Sequence, residues 1–416
     1  MWKVVLHYQI NHTKLTVMKI VVIGGNFAGF TAALELKRKL KDRAEVTVID
    51  RSEDFLYIPS LIWVPLKRRE LSEISVPRRK VLEKKGVDFV CTTALTVDPG
   101  TQIVHTENGD FAYDELVIAT GPKVNFDIAP GVREHACYIG TPVGAMKTRE
   151  KLEAFKKNPG PIVIGATQNA GCMGAAYEFL FNIEKWLREQ NIREKVDLYW
   201  VTPEDYLGHF GIDGMPGGEA MLKGFMKMFN IHYRTQVGVE EVTNHNIKLS
   251  NGETIESNFI MLMPPFLGVD FIKNSPKLEA MANGFLDVDG TYQHKKYKNV
   301  WGAGLTVNVT APFTSKKIPY AVPKTGYPSD ETGKIVAENI IRIANGNNEL
   351  KCKKWGDIPG LCVMDAGKKE VLIFSNHLFK PRTFAIMLPN VFYDFTKVLL
   401  EKYFLWKLRN GYSSLP

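Results

Sequence analysis

Three stretches of the chain share one pattern: a short strand-like apolar segment that ends in small residues. Residues 19–23 lead into Gly24-Gly25-Asn26-Phe27-Ala28-Gly29, residues 115–118 into Ala119-Thr120-Gly121, and residues 299–301 into Gly302-Ala303-Gly304. Such endings let backbone amides approach a ligand where side chains would block it. After the first turn, apolar positions recur at helical spacing to about Leu40, and a strand at 45–49 ends in Asp50, completing a βαβ unit. Asp50 falls about twenty residues beyond the turn, where a ribose hydroxyl would want a carboxylate acceptor. Asn26 replaces the middle glycine of the usual turn. Asparagine tolerates left-handed backbone, yet its side chain crowds a pyrophosphate. An ordinary tight βα turn is the competing reading.

The apolar run at 162–164 opens a second strand, turn and helix, with helical periodicity over 175–186. Cys172 stands at that helix start, where unpaired amides and the helix dipole favour negative charge; the position predicts a lowered thiol pKa. The next strand, 196–201, ends in Thr202-Pro203 where a nucleotide-binding domain would carry a charged ribose reader, with Glu204 just beyond. This predicts a domain that has lost nicotinamide binding. Residues 87–97 and 101–111 alternate as strands, with Asn108-Gly109 as a hairpin signal.

After Ile343 a polar stretch, Ala-Asn-Gly-Asn-Asn-Glu, marks a linker, and the tail changes character over 387–406. With Asn390 as N-cap after Pro389, Phe392, Phe395, Leu399, Tyr403 and Trp406 recur at helical spacing. Asp394, Lys397, Glu401, Lys402, Lys407 and Arg409 interrupt the run too often for a spanning helix. A helix in the membrane interface and a helix docked on the protein fit the pattern equally.

A length of 416 residues suits two or three domains. The pattern divides the chain into an extension at 1–17, with Met18 as an alternative start, a first nucleotide-binding part at 18–125, a second such domain at 126–294, the rest of the first at 295–345, and a C-terminal region at 346–416. The net charge of +8 permits an anionic partner, but the basic residues are scattered and no aromatic-and-basic nucleic-acid motif appears. Five cysteines without a CxxC argue against a secreted disulfide framework and against zinc, so no metal is expected. Neither a signal peptide nor an apolar run of the roughly twenty residues needed to span a bilayer is apparent. Cys91, inside a strand, and Cys352, in the linker, read as structural. Cys362, in Leu361-Cys-Val-Met-Asp-Ala-Gly367, has no local feature that makes it reactive and reads alone as a buried strand residue.

The three turns, in this order and over nearly the whole chain, resemble the flavoproteins with two dinucleotide-binding domains. The resemblance implies an α/β fold of two Rossmann-like domains, the first interrupted by the second, with FAD as cofactor. Gly24, Gly25, Asn26, Phe27, Ala28, Gly29, Asp50, Thr120, Gly121, Gly302 and Gly304 would bind it, and Lys324 would face the flavin pyrimidine. Further stretches resemble the sulfide:quinone oxidoreductases: Gly171-Cys172-Met-Gly-Ala-Ala-Tyr-Glu178, Leu207-Gly-His209-Phe-Gly211, Pro323-Lys-Thr-Gly326, Leu361-Cys362 with Asp365 and Gly367, and Glu401-Lys-Tyr-Phe404. Leu305 follows Gly304 where disulfide reductases and NADH dehydrogenases usually carry Asp.

That resemblance implies a two-sided enzyme. On one flavin face Cys172 and Cys362 would form a disulfide or sulfur-bridged pair. Hydrosulfide opens it to a persulfide and a thiolate, and the thiolate then attacks the flavin. Cys137, in His135-Ala-Cys-Tyr138, aligns with a cysteine that binds flavin covalently or relays sulfur in some relatives; a loop cysteine without a role is the alternative. His209 matches a proton acceptor near the sulfide entrance, against a loop histidine exposed to water. Glu178 and Lys397 would lie beside the quinone, with Leu361, Leu400, Tyr403 and Phe404 around it; the family often has Phe where Leu400 stands. The implied partners are sulfide, a membrane quinone, the bilayer surface through the C-terminal amphipathic helix, and further copies of the chain, in a peripheral (monotopic) protein at the cytoplasmic face. A type II NADH:quinone oxidoreductase would not need the two cysteines. The flavoprotein subunit of a flavocytochrome c sulfide dehydrogenase usually lacks the tail. A non-catalytic scaffold of the same fold would have no reason to keep both thiols.

Overall fold

The computed structural model describes residues 17–367, 370–390 and 395–413. The expected extension before Val17 and the tail residues Phe392 and Asp394 lie outside them. In chain order, the elements that position the site begin with β1 (Met18–Ile23), α1 (Phe27–Leu40), β2 (Ala44–Asp50), β3 (Asp88–Cys91) and β4 (Glu115–Ile118). Next come β5 (Ile162–Ala166), α2 (Met173–Glu189), β6 (Leu198–Val201), β7 (Ile231–Arg234) and β8 (Phe259–Met263). The chain then adds β9 (Val300–Gly302), α3 (Gly326–Ala344), β10 (Gly360–Asp365), β11 (Glu370–Ser375), β12 (Ala385–Asn390) and α4 (Phe395–Arg409).

The first sheet runs in the order β9-β4-β1-β2-β3, with all pairs parallel. Strands β1, β4 and β9 are almost wholly buried, which is why they read as continuous apolar runs. The direction of winding reverses between β1 and β4, and ligands of such sheets bind outside the strand C-termini at that point. The three small-residue turns and Asp50 all follow strand C-termini here. Gly24 shows the constraint: its φ is +92°, and a Cβ there would lie 2.4 Å from the Ala119 carbonyl oxygen. The expected strands at 87–97 and 101–111 each split in two. Residues 94–98, 103–106 and 109–112 form a separate antiparallel sheet with the hairpin at Gly109. β9 returns to the first sheet after the second sheet, β7-β6-β5-β8, is complete, and that second sheet is also wholly parallel.

The tail differs from expectation. Residues 385–390 form β12, paired antiparallel with β11, so Asn390 is a strand residue opposite Glu370 rather than a helix cap. Met387 is 4% exposed and Leu388 54%, the alternation of a strand with one face buried. Helix α4 starts at Phe395 instead, and the Glu370 carboxylate accepts the amides of Thr396 and Lys397 at its first turn, at 3.3 and 2.9 Å.

Its faces are reversed relative to an ordinary amphipathic helix. Lys397, Glu401 and Lys407 are turned inward, while Phe395, Leu399 and Trp406 are exposed at 64%, 53% and 49%. Each buried charge has a partner from an earlier element. Lys397 meets Glu178 of α2. Glu401 accepts from Ser60 at 2.5 Å and from Arg69 at 3.0 Å. Lys407 reaches Asp330 of α3 at 3.3 Å, and Asp330 also accepts from Thr31 of α1.

Removing one partner of a buried pair leaves an uncompensated charge, which costs about 3–5 kcal/mol. Asp330→Ala is therefore expected to lower the unfolding free energy from urea titration by that amount, and Asp330→Ala with Lys407→Met to recover most of it. A single-variant loss below about 1 kcal/mol would show that this pair does not anchor the helix.

Candidate active site

The turn after β1 presents the amides of α1, which has no acidic residue in its first turn. Gly25 N–H donates to Asp50 Oδ2 at 2.7 Å, and Arg78 pairs with Asp50 Oδ1 at 3.1 Å. The Asn26 side chain does not crowd the turn as expected: it swings toward Leu56, donating to that carbonyl over a long 3.4 Å, and its Oδ1 is buried without a partner. Across the sheet, Thr120 and Thr306 hydroxyls lie 3.1 Å apart, and Gly121 has open space where a Cβ would project. Gly304, at φ +70°, approaches so closely that a Cβ would meet Ala28 at 2.9 Å. Amides, a carboxylate at the end of β2 and small residues at the switch point together fit a dinucleotide such as FAD.

Lys324 strengthens the fit. Its ammonium is buried, donates to the carbonyls of Leu305 and Val307 at 3.0 and 2.7 Å, and lies 3.3 Å from the Phe285 ring centroid. Burial pushes its pKa well below the usual lysine value. An amine held among carbonyls and an aromatic ring suits an electron-rich ring edge, to which it can donate.

Cys172 is the N-cap of α2, and Cys362 lies on β10 opposite Ile373. The charge of Cys172 registers at Cys362, and that of Glu178 registers at both. Thus α2 and β10 bring together two thiols that are distant in sequence. The expectation of a lowered Cys172 pKa is overturned. The Ala175 amide pulls it down, but burial dominates and pushes the thiol up to about 11. Cys362 is pushed up to about 12 by the protein packed around it and then by Glu178. Its exposed surface is at odds with that cost; the crowding of protein atoms sets the direction, and the open side leaves the sulfur reachable. Cys362 is thus not the buried strand residue that its local sequence suggests.

Cys137 is 1% exposed and makes an isolated parallel bridge to Met261 of β8, so it is buried at the edge of the second sheet rather than in a surface loop. Burial raises its pKa. Its neighbour Tyr138 feels the charge of Cys172.

Glu178 is 7% exposed, accepts the Asp365 amide at 3.0 Å and pairs with Lys397. Asp365 is fully buried and takes the Trp63 indole N–H at 3.0 Å, with Arg68 at 3.6 Å. Desolvation lifts the Glu178 carboxyl to about 7, opposed by Lys397 and aided by Asp365. Of the expected quinone contacts, Leu361 is exposed and Leu400 and Tyr403 are half-buried. Phe404 packs on Tyr57 and Phe27, with ring centroids 5.5 and 6.0 Å apart. Tyr57 had no signal in the sequence, yet it is buried and senses Glu401, Glu178 and Cys362.

His209 is 3% exposed, contrary to a solvated loop. Its ring meets Phe313 and Tyr320 edge-on at 4.6 and 4.9 Å, Nε2 lies 3.7 Å from Asp213, and Nδ1 has no partner. Burial lowers its pKa and keeps the imidazole neutral.

The profile of the pyridine nucleotide-disulphide oxidoreductase family matches residues 18–308. The sulfide-quinone reductase of Aquifex aeolicus (strain VF5) is 33% identical over 398 residues, covering 94% of this chain and 91% of its own. The mitochondrial sulfide:quinone oxidoreductase of Dictyostelium discoideum is 28% identical, covering 74% of this chain and 69% of its own. Among solved structures, the sulfide:quinone oxidoreductase of Aquifex aeolicus superposes with a TM-score of 0.91 at 32% identity, over 96% of this chain and 93% of its own. NDH2 of Plasmodium falciparum in complex with NADH reaches 0.71 at 14% identity, over 95% and 96%, a likeness of fold alone.

The raised carboxyl of Glu178 has a consequence for stability. Between the ordinary value of 4.5 and about 7, the folded chain holds a proton that the unfolded chain has lost. The contribution is full below 4.5 and falls as pH rises through about 7. Glu115 and Glu204, also lifted to about 7 by burial, act in the same direction. Glu178→Gln is expected to flatten, but not abolish, the fall in thermal midpoint across this window. An unchanged slope would mean that Glu178 is ionised throughout.

Proposed function

Because the chain belongs to the pyridine nucleotide-disulphide oxidoreductases, and within them to the sulfide:quinone oxidoreductases, we propose that Cys172 and Cys362 are the thiols through which it works. The protein is an FAD-dependent enzyme that oxidises sulfide and reduces a quinone. The observation that carries the assignment is the convergence of both thiols, Glu178 and Lys397 in one electrostatic neighbourhood.

In the oxidised pair the two sulfurs are bonded. Hydrosulfide attacks the reachable sulfur, Cys362; the S–S bond breaks, Cys362 carries the persulfide and Cys172 leaves as thiolate. The Ala175 amide at the start of α2 is the group that accommodates this charge. Burial keeps the thiolate poorly stabilised and hence strongly nucleophilic. The chemistry FAD supplies when bound is two-electron transfer between sulfur and quinone. The turn at Gly24–Gly29 would hold its pyrophosphate, Asp50 its ribose, Thr120, Gly121, Gly302 and Gly304 its close backbone contacts, and Lys324 the pyrimidine edge. His209, buried and neutral, accepts a proton released on the sulfide side. Cys137, buried against the edge of the second sheet, is left without a step.

On the quinone side two protons are needed with the two electrons. Glu178, with a carboxyl near neutrality, delivers one, and the Lys397 ammonium polarises a quinone oxygen and delivers the other. Leu361, Leu400, Tyr403 and Phe404 form the apolar wall. No helix among the described residues is long and apolar enough to cross a membrane. The exposed side chains of Phe374, Phe384, Leu388, Phe395, Leu399 and Trp406 supply instead a face that enters the headgroup region.

Cys172→Ala and Cys362→Ala are each expected to abolish bleaching of the flavin by sulfide while FAD stays bound, and NADH is expected not to bleach it. Full activity in either variant would sink the paired-thiol assignment. Glu178→Gln should retain sulfide-driven bleaching but slow reoxidation by decylubiquinone about 10²-fold. Leu399→Glu with Trp406→Glu should release the protein from sedimenting liposomes. Deleting all of α4 is no clean test, because it would strand Glu178 and Asp330.

A further inference from the structure

Glu204 lies just past β6, close to where a nucleotide-binding domain of this kind presents a carboxylate to a ribose. Here it is fully buried and committed elsewhere. One oxygen accepts the Phe210 amide at 2.6 Å; the other accepts the hydroxyls of Tyr177 and Thr202 at 2.8 and 2.9 Å. The Tyr177 oxygen in turn accepts the Gly208 amide at 3.1 Å. The residues on both sides of His209 are therefore pinned by one carboxylate–phenol pair. Tyr177 comes from α2, the helix that begins at Cys172, and its ring stacks on Trp200 with centroids 4.0 Å apart.

Two features show that the loop needs this restraint. Phe210 has φ +53°, a left-handed conformation unfavourable for an aromatic residue, which persists only where the surroundings over-determine it. His209 itself makes no hydrogen bond through Nδ1 and lies among rings, so its own side chain does little to fix it.

We propose that Glu204 and Tyr177 are positioning residues that hold the imidazole of His209 in place, and that the carboxylate of a lost nucleotide site has been taken over for this purpose. The proposal rests on the reading of His209 as the proton acceptor on the sulfide side. The groups that face His209 are Asp213, itself paired with Lys380 at 2.6 Å, together with Asp205 and the phenols of Tyr206 and Tyr320. Freeing the loop admits water to the ring, which removes the burial that keeps it neutral.

The test uses the FAD-loaded enzyme and two variants, Tyr177→Phe and Glu204→Gln. The imidazole titration of His209 is followed by NMR, with His209→Asn identifying the resonance. Sulfide-driven bleaching and quinone-driven reoxidation are timed as a function of pH. Both variants are expected to raise the His209 pKa, to move the acid limb of bleaching to higher pH, and to slow bleaching about tenfold, with reoxidation unchanged. A core variant remote from the loop, Val132→Ala, should leave the titration where it was even if it lowers the thermal midpoint. An unmoved His209 titration in folded Tyr177→Phe would overturn the proposal. If the titration moves but His209→Asn bleaches at the parent rate, the positioning stands and the proton-acceptor reading fails.

Discussion

The contact on which the C-terminal region depends is the ion pair between Lys397 of α4 and Glu178 of α2, both almost fully buried. Bringing two charges out of water is costly unless geometry and further hydrogen bonds offset it. Here the offset comes from two segments: the Asp365 amide of β10 donates to Glu178, and the Trp63 ring lies beneath the ammonium at 4.8 Å. Satisfying this pair brings β10, and with it Cys362, against the helix that carries Cys172. An apolar pair of the same volume would pack as tightly but would specify the alignment of α4 less uniquely, and it would leave no group able to exchange a proton.

The same contact explains why the tail was only half legible. The spacing of Phe395, Leu399 and Trp406 is visible in the sequence, but periodicity reports that a helix has two faces, not which one is turned inward. Lys397, Glu401 and Lys407 look like solvated charges until Glu178, Ser60, Arg69 and Asp330 are known to wait for them. By contrast, the turns at Gly24, Thr120 and Gly302 could be read directly, because a buried parallel strand followed by small residues has few alternatives. Cys172 falls between these cases. Its place at a helix start was legible, whereas the balance between the Ala175 amide and burial depends on atoms supplied by distant segments. For His209 the sequence left a solvated loop open as the alternative, because its glycine neighbours suggest one, yet Phe313 and Tyr320 cover it.

Ionisable groups around the site share one tendency, which is that burial works against charge. The thiols of Cys172 and Cys362, the carboxyls of Glu178 and Glu204 and the ammonium of Lys324 are all shifted toward their neutral forms. Such a setting suits chemistry in which charge appears only as a bond breaks or an electron pair moves, since interactions made at that moment are strong in a low dielectric.

Helix α2 lies between the His209 loop and the Lys397 ion pair. Cys172 caps its N-terminus, and Tyr177 and Glu178 follow as neighbours in sequence. Consecutive helical residues point about 100° apart, so their side chains leave the helix in different directions. Tyr177 turns to Glu204 and the His209 loop, whereas Glu178 turns to Asp365 and Lys397. The body of the helix, with Ala176, Phe179 and Leu180 fully buried, stands between the His209 loop and the Glu178 carboxyl. A change in how α2 packs would therefore disturb both sides together, whereas a change at either residue alone acts on one.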